Sequence, residues 1–216
     1  MKKIIQIILI PVILVLAYLI YEIPAKELDF KAKAKIRIDE NIQKLEDIKQ
    51  AQIHYKQKHN RYASDGESLL NFLLSDSIST TKKEGKTPDS LISEYGLFKA
   101  DSIAELRGYV VITPDIIPAK SVVYDSIYMS KRNQLYKLYL PDLLQIPNTN
   151  KEYKIETDQL EPYGGQIVQV LQISSNYETI LVGLDYKKYP NLYPAKDLLK
   201  IGSLTEVSLN GNWKIE

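Results

Sequence analysis

The hydrophobic and polar positions at the N-terminal end follow two patterns in turn. From Ile4 to Tyr21 the chain reads IIQIILIPVILVLAYLIY, with no charge and with Gln6 as its only strongly polar side chain. As a helix this run spans about 27 Å at 1.5 Å per residue, close to the ~30 Å hydrocarbon core of a bilayer. Pro11 forfeits one internal hydrogen bond, which a membrane helix tolerates better than a soluble one. From Ala25 to Asn60, beyond Pro24, strong helix formers dominate and Gly and Pro are absent. Ile38, Ile42, Leu45, Ile48, Ala51 and Tyr55 recur at spacings of four, three, three, three and four. That is one stripe down one helix face. The pattern predicts a transmembrane anchor over 1–24, with Ile4, Ile10, Leu14 and Leu19 in its apolar run, leading into an amphipathic helical spine. In the spine's first turns, Lys26–Lys35, the apolar residues are Leu28 and Phe30. They are too few for the head's core to hold, and are candidates for contact with neighbouring subunits.

Ser64 and Glu67 have the spacing of a capping box, which predicts a short second helix from about Asp65 to Leu74. Spine and second helix together occupy 25–75. A polar connecting region follows over 76–107, with SDSISTTKKEGK (Ser75–Lys86) as a mobile excursion and one helical turn at Ser90–Tyr95 after Pro88. After Gly108 the texture turns to strand. GYVVIT, SVVYDSIYM and QLYKLYL are β-branched and aromatic, and Pro114, Pro118 and Pro141 sit at run ends. Ile167–Ile173 and Thr179–Leu184 flank SSNYE as a candidate hairpin, and Tyr186–Pro194 is an extended surface loop. A three-residue loop at Asn210–Asn212 opposes Leu209 to Trp213 and Val207 to Ile215, keeping the apolar face together. The expected fold is α+β: a transmembrane helix continuing into a spine packed on an antiparallel β head of five or six strands, 108–216.

Composition adds limits. A formal net charge of +1 gives no field that would draw nucleic acid, and the absence of cysteine removes disulfides and thiol chemistry. Sixteen tyrosines against three phenylalanines suit half-buried strand positions better than a carbohydrate-stacking surface. The apolar run is longer than a signal-peptide core of ~7–15 residues, and Ile23 fits a cleavage site before Ala25 poorly, so retention as an anchor is preferred. Lys26, Lys31, Lys33, Lys35 and Arg37 follow the run, and a literal positive-inside count would keep the head in the cytoplasm. A short basic N-terminus before a single span favours the opposite, a periplasmic head.

The stretch QKLEDIKQAQIHYKQKHNRYASDGESLLNFL resembles the helix exit of type IV pilins and type II secretion pseudopilins, at Leu45, Ile48, Ala51, Tyr55, Asn60, Arg61, Tyr62 and Leu69. IETDQLE, GGQIVQVLQIS and KIGSLTEVSLNGNW look like single-span, pilin-like membrane proteins of Bacteroidetes, which bring no established activity. The pilin resemblance implies a bacterial inner-membrane subunit whose helices bundle with those of other membrane-anchored or envelope proteins, its own copies included. Prepilins carry a Gly or Ala cleavage site and a glutamate near the start of the apolar helix. Here Met1-Lys-Lys leads straight into Ile4 and no glutamate lies in the run. The likeness therefore bears on shape more than on the route of assembly.

Candidate chemistry is sparse. His54 and His59, spaced by five, lie about 140° apart on a helix and cannot chelate one ion from one face. With no G-x-S-x-G and no cysteine to meet them, they are expected as solvated helix residues. Glu46 and Asp47 are likewise expected on a solvated face. Asp101, Asp115, Asp125, Asp142 and Asp185 are scattered, and Asp185 and Asp197 lack the spacing of a calcium loop. Gly164-Gly165 is a turn. Lys31, Lys33, Lys35 and Arg37 are placed to meet anionic headgroups or to form a solvated face. The sequence points to a non-enzymatic, membrane-anchored assembly subunit with no cofactor, no metal and no nucleic-acid partner. The alternative is an anchored extracytoplasmic module that binds or senses a ligand.

Overall fold

A computed structural model describes residues 2–129, 138–161, 164–193 and 197–213. Helix α1 runs unbroken from Lys2 to His59, with Pro11 and Pro24 inside it. Neither proline breaks it, so the apolar run continues directly into the spine as one helix, as expected. The helix ends at Asn60, whose backbone is left-handed (φ 56°) and whose N–H closes on the Lys56 carbonyl at 2.8 Å. Among the described residues no helix is long and apolar enough to cross a membrane. Within Ile4–Tyr21 the described side chains are Leu9 and Pro11–Tyr21, and Glu22 follows.

The chain divides into two compact units, Met1–Lys49 with Asn133–Glu216, and Gln50–Arg132. This division falls inside α1 itself.

In the first unit, β3 (Lys154–Leu160), β4 (Val168–Asn176) and β5 (Leu198–Gly202) form an antiparallel sheet in the order β3-β4-β5. Ile173 of β4 lies between Ile155 and Ile201, and Val170–Ser175 is buried throughout. The expected hairpin through SSNYE does not form. Instead β4 continues to Asn176, whose side chain accepts from the Thr179 N–H (2.9 Å) and starts the short helix α6, Tyr177–Ile180. The C-terminal hairpin is also absent: Gly211 bridges to Ile201, and Asn212 bonds the Lys200 N–H and the Leu198 carbonyl. Ile215 lies outside the described residues. Gly202 (φ 79°) tolerates no side chain, since a Cβ there would stand 2.1 Å from the Leu171 carbonyl oxygen. Of QLYKLYL, Gln134–Lys137 lies outside the description. Leu138 is buried and Leu140–Asp142 forms a 3-10 turn rather than a strand.

The second unit holds α2 (Gly66–Ser75), β1 (Ser77–Gly85), α3 (Asp89–Tyr95), α4 (Leu97–Leu106), β2 (Val110–Pro118) and α5 (Ala119–Met129). Asp65, not Ser64, caps α2 by accepting from the Ser68 N–H at 2.7 Å, and the Ser64 hydroxyl donates to the same carboxylate. The expected mobile excursion is β1, paired antiparallel with β2 from Ser77↔Pro118 to Gly85↔Val110. SVVYDSIYM lies in a helix, not a strand: Ala119, Val123 and Ile127, four apart, are all fully buried. The fold is α+β as expected, but its antiparallel pairing is split between a three-stranded sheet and a two-stranded ribbon.

Candidate functional site

The spine face that is buried differs in part from the expected stripe. Leu45, Ile48, Ala51 and Tyr55 are buried, whereas Ile38 and Ile42 are half-buried. The face continues instead through Asn41, Ala34 and Phe30, each under 7% exposed. Phe30 stacks on Tyr189 (centroids 4.6 Å apart), with Tyr193 beyond at 6.2 Å. A subunit contact through Phe30 is thereby corrected, because the chain's own loop covers it. Leu28 points outward, 66% exposed.

N-terminal to this point the described apolar side chains of the helix are exposed. Leu9, Val12–Leu16, Tyr18–Tyr21 and Ile23 include eleven large apolar side chains exposed between 42% and 75%, Leu14 and Leu19 among them. Ile4 and Ile10 lie outside the described side chains.

Between these two stretches of α1 the charges pair. Lys26 meets Glu22 (2.5 Å), Lys31 meets Glu27 (2.7 Å) and Lys33 meets Asp29 (2.7 Å). The Glu22 carboxylate holds Lys26 above its ordinary pKa. Arg37 donates to the Val182 carbonyl at 2.8 Å, so it belongs to the fold rather than to a free basic face. On the covering loop Lys188 pairs with Asp185 at 2.6 Å and lowers that carboxyl's pKa. A groove of about 510 Å³ is lined by Lys26, Asp29, Phe30, Lys33, Gly183, Leu184, Asp185, Lys188 and Tyr189.

A polar knot locks the next turns of the spine. The Tyr153 hydroxyl donates to Asn41 Oδ1 at 2.6 Å, and Lys44 Nζ donates to the carbonyls of Asp142 (2.8 Å) and Gln145 (2.5 Å). Burial pushes the Tyr153 phenol up and the Lys44 ammonium down. Asp47, expected on a solvated face, is 2% exposed, while Glu46 is outside and pairs with Lys49. Lys44 lines a shallow groove of about 360 Å³, but its amine is engaged with main-chain carbonyls. This is joinery.

His54 is less solvated than expected, whereas His59 is exposed as expected. His54 Nε2 lies 2.6 Å from the Ser126 hydroxyl and Nδ1 lies 2.9 Å from Gln57 Oε1. An amide oxygen stands where a nucleophilic triad has a carboxylate, so an imidazolium there would lack the charge that stabilises it. His59 packs against Tyr55 and Phe72 and lies 3.6 Å from Asp76. Among the described residues no group of three or more His, Cys, Asp or Glu is placed to hold a metal ion.

One surface escaped sequence reasoning. In the second unit Leu91, Ala100, Ala104 and Val110 form a small core, and above it Phe98 and Leu106 are 91% and 87% exposed. Leu97, Tyr109, Val111 and Ile116 are exposed beside them in sequence. The signal was the apolar pair at i, i+8 on α4, lost inside a region read as polar connection.

No family model, curated protein or solved structure matches this chain.

Proposed function

We propose that the protein is a membrane-anchored, non-enzymatic subunit that works by associating with other envelope proteins or with its own copies. The observation that carries this is the uncovered end of α1. A helix that is apolar on every face must be buried in protein or lipid, and here the chain itself buries none of Leu9, Val12–Leu16 or Tyr18–Tyr21. Extended back to Ile4 by sequence, the run has the length of a single span. A periplasmic head at a bacterial inner membrane is part of this reading, and the pilin resemblance favours association through helices. Exposed Leu28 on α1 and Phe98 on α4 are the contact positions this reading selects.

Single cysteines in this cysteine-free chain test it. Leu28→Cys and Phe98→Cys should cross-link in cells to a second copy or a partner, while Lys86→Cys and Glu161→Cys should not. No adduct from either test position overturns association. Protease added to spheroplasts should digest the head; full protection with the outer membrane opened overturns the periplasmic placement. The rival reading, an anchored binding module, draws on the groove beside Phe30 and Tyr189.

A further inference from the structure

We propose that two copies of this chain pair through the outward face of α1, parallel and in register, as a closed dimer and not a staggered filament; the inference rests on the association reading. Counting alanine, the apolar residues from Ala25 to Ile36 are Ala25, Leu28, Phe30, Ala32, Ala34 and Ile36. Phe30 and Ala34 are buried by the fold. The other four recur at spacings of three, four and four, so at 3.6 residues per turn they share about 80° of arc. That arc lies roughly opposite Phe30, Ala34 and Asn41, the buried side of the same turns. Leu28 and Ile36 are 66% and 61% exposed, and Ala32 is exposed as well. Back along the helix the stripe runs on through Tyr21, Tyr18 and Leu14, all exposed, at spacings of four, three and four. From Leu14 to Ala32 the steps alternate four and three, the period of a two-helix seam.

The borders of the stripe select a second copy. Glu22–Lys26, Glu27–Lys31 and Asp29–Lys33 each close within their own helix. No net field along these pairs repels a like surface or calls for an oppositely charged one. Alanine at alternate layers, Ala25 and Ala32, lets two backbones approach closely. Lys35 stands beside Ile36 and marks where the helices part, one turn before Arg37 and Ile38 join the chain's own fold. Orientation follows from the acids. Antiparallel pairing sets the flanking Glu22 and Asp29 against each other, whereas parallel pairing in register sets them against Ala17 and Pro24. Closure follows from the count of faces. A staggered filament joins two different surfaces, but between Ala25 and Ile36 the helix has one outward apolar stripe, and one face used by both copies closes at two.

Single cysteines in the full chain, oxidised in cells before extraction, read the seam. Leu28→Cys and Ala32→Cys should each give an adduct of twice the chain's mass, several-fold faster than Lys26→Cys or Glu27→Cys on either side. Equal rates at all four positions overturn the seam. A chain carrying both Ala25→Cys and Ala32→Cys should still stop at two copies; a ladder of higher multiples means stagger and overturns the closed pair. Adducts to a different protein, or adducts from Phe98→Cys alone, overturn this proposal and leave association standing. No adduct from any of these positions defeats both. Native mass spectrometry of the detergent-extracted chain gives a second measurement. Leu28→Glu with Ile36→Glu should weaken the dimer several-fold and leave the unfolding midpoint unchanged, because both side chains are exposed. A dimer of undiminished strength in this variant places the contact elsewhere and overturns the proposal.

Discussion

Strands β4 and β2 are each nine residues long, and β2 (VVITPDIIP) is the more apolar of the two (VQVLQISSN). Yet β4 is buried from Val170 to Ser175, Gln172 and both serines included, whereas β2 buries only Val110 and leaves Ile116 71% exposed. The difference lies in what surrounds them. β4 is paired on both edges, by β3 and β5; among the described residues β2 is paired only with β1, in a ribbon of two. A strand's own hydrophobicity does not decide whether it becomes core, because burial needs an element to supply the other surface. An apolar strand that its chain leaves bare is available to something else.

Charge insertion should separate the two strands most sharply. Ile173→Asp places an unpaired carboxylate where the side chain is fully buried and should unfold the first unit, while Ile116→Asp should change stability by no more than about 0.5 kcal/mol. Even the gentler Leu171→Ala should cost about 2–5 kcal/mol. Thermal unfolding of the detergent-purified full chain reads all three, and equal losses at Ile173 and Ile116 would break the comparison. Next in size is the knot on the spine. Tyr153→Phe leaves Asn41 Oδ1 without its donor in a buried site, at a cost of about 1–3 kcal/mol by denaturant titration. Asp65→Ala removes the cap of α2 and should cost about 1 kcal/mol, read as faster amide exchange in Gly66–Ser68.

Much of the helical part was legible because a 3.6-residue period is written directly into spacing. Leu45, Ile48 and Tyr55 announced themselves, and so did the cap region of α2, although the cap itself is Asp65 and not Ser64. What failed depended on partners distant in sequence. Phe30 continues the buried face because Tyr189, more than a hundred residues later, stacks on it. Polar β1 became a strand because β2 pairs with it, a preference set by cross-strand neighbours rather than by its own side chains. In α5 the β-branched residues suggested a strand, and only the four-residue spacing of Ala119, Val123 and Ile127 betrayed a helix. Of the candidate surfaces, the apolar end of α1 was readable, whereas Phe98 and Leu106 were hidden by polar neighbours.

A smaller effect sharpens the comparison through a buried charge. Burial is the main cause that lowers the pKa of Lys44 below 10.5, opposed by Asp142 and Asp47. Between the folded value and that of the unfolded chain, the unfolded state binds more protons, so the folded state gains stability as pH rises through that window. In Lys44→Met this gain should vanish, read as a flatter pH dependence of the unfolding midpoint.

The smallest effect on stability is expected where the effect on association is largest. Phe98→Ser and Leu106→Ser remove side chains that are 91% and 87% exposed, so the fold loses almost no buried apolar area. Each should shift unfolding by less than about 0.5 kcal/mol. Beneath them Ala100 and Ala104 are fully buried, and Ala104→Ser in the same helix serves as the opposite control, destabilising by placing a hydroxyl against Leu91 and Val110 without touching the outer face. If α4 presents a docking surface, the double serine variant keeps its unfolding midpoint and loses the cross-link formed from Leu97→Cys. Should the cross-link persist with both apolar side chains gone, α4 is only a poorly covered helix and association belongs to α1 alone.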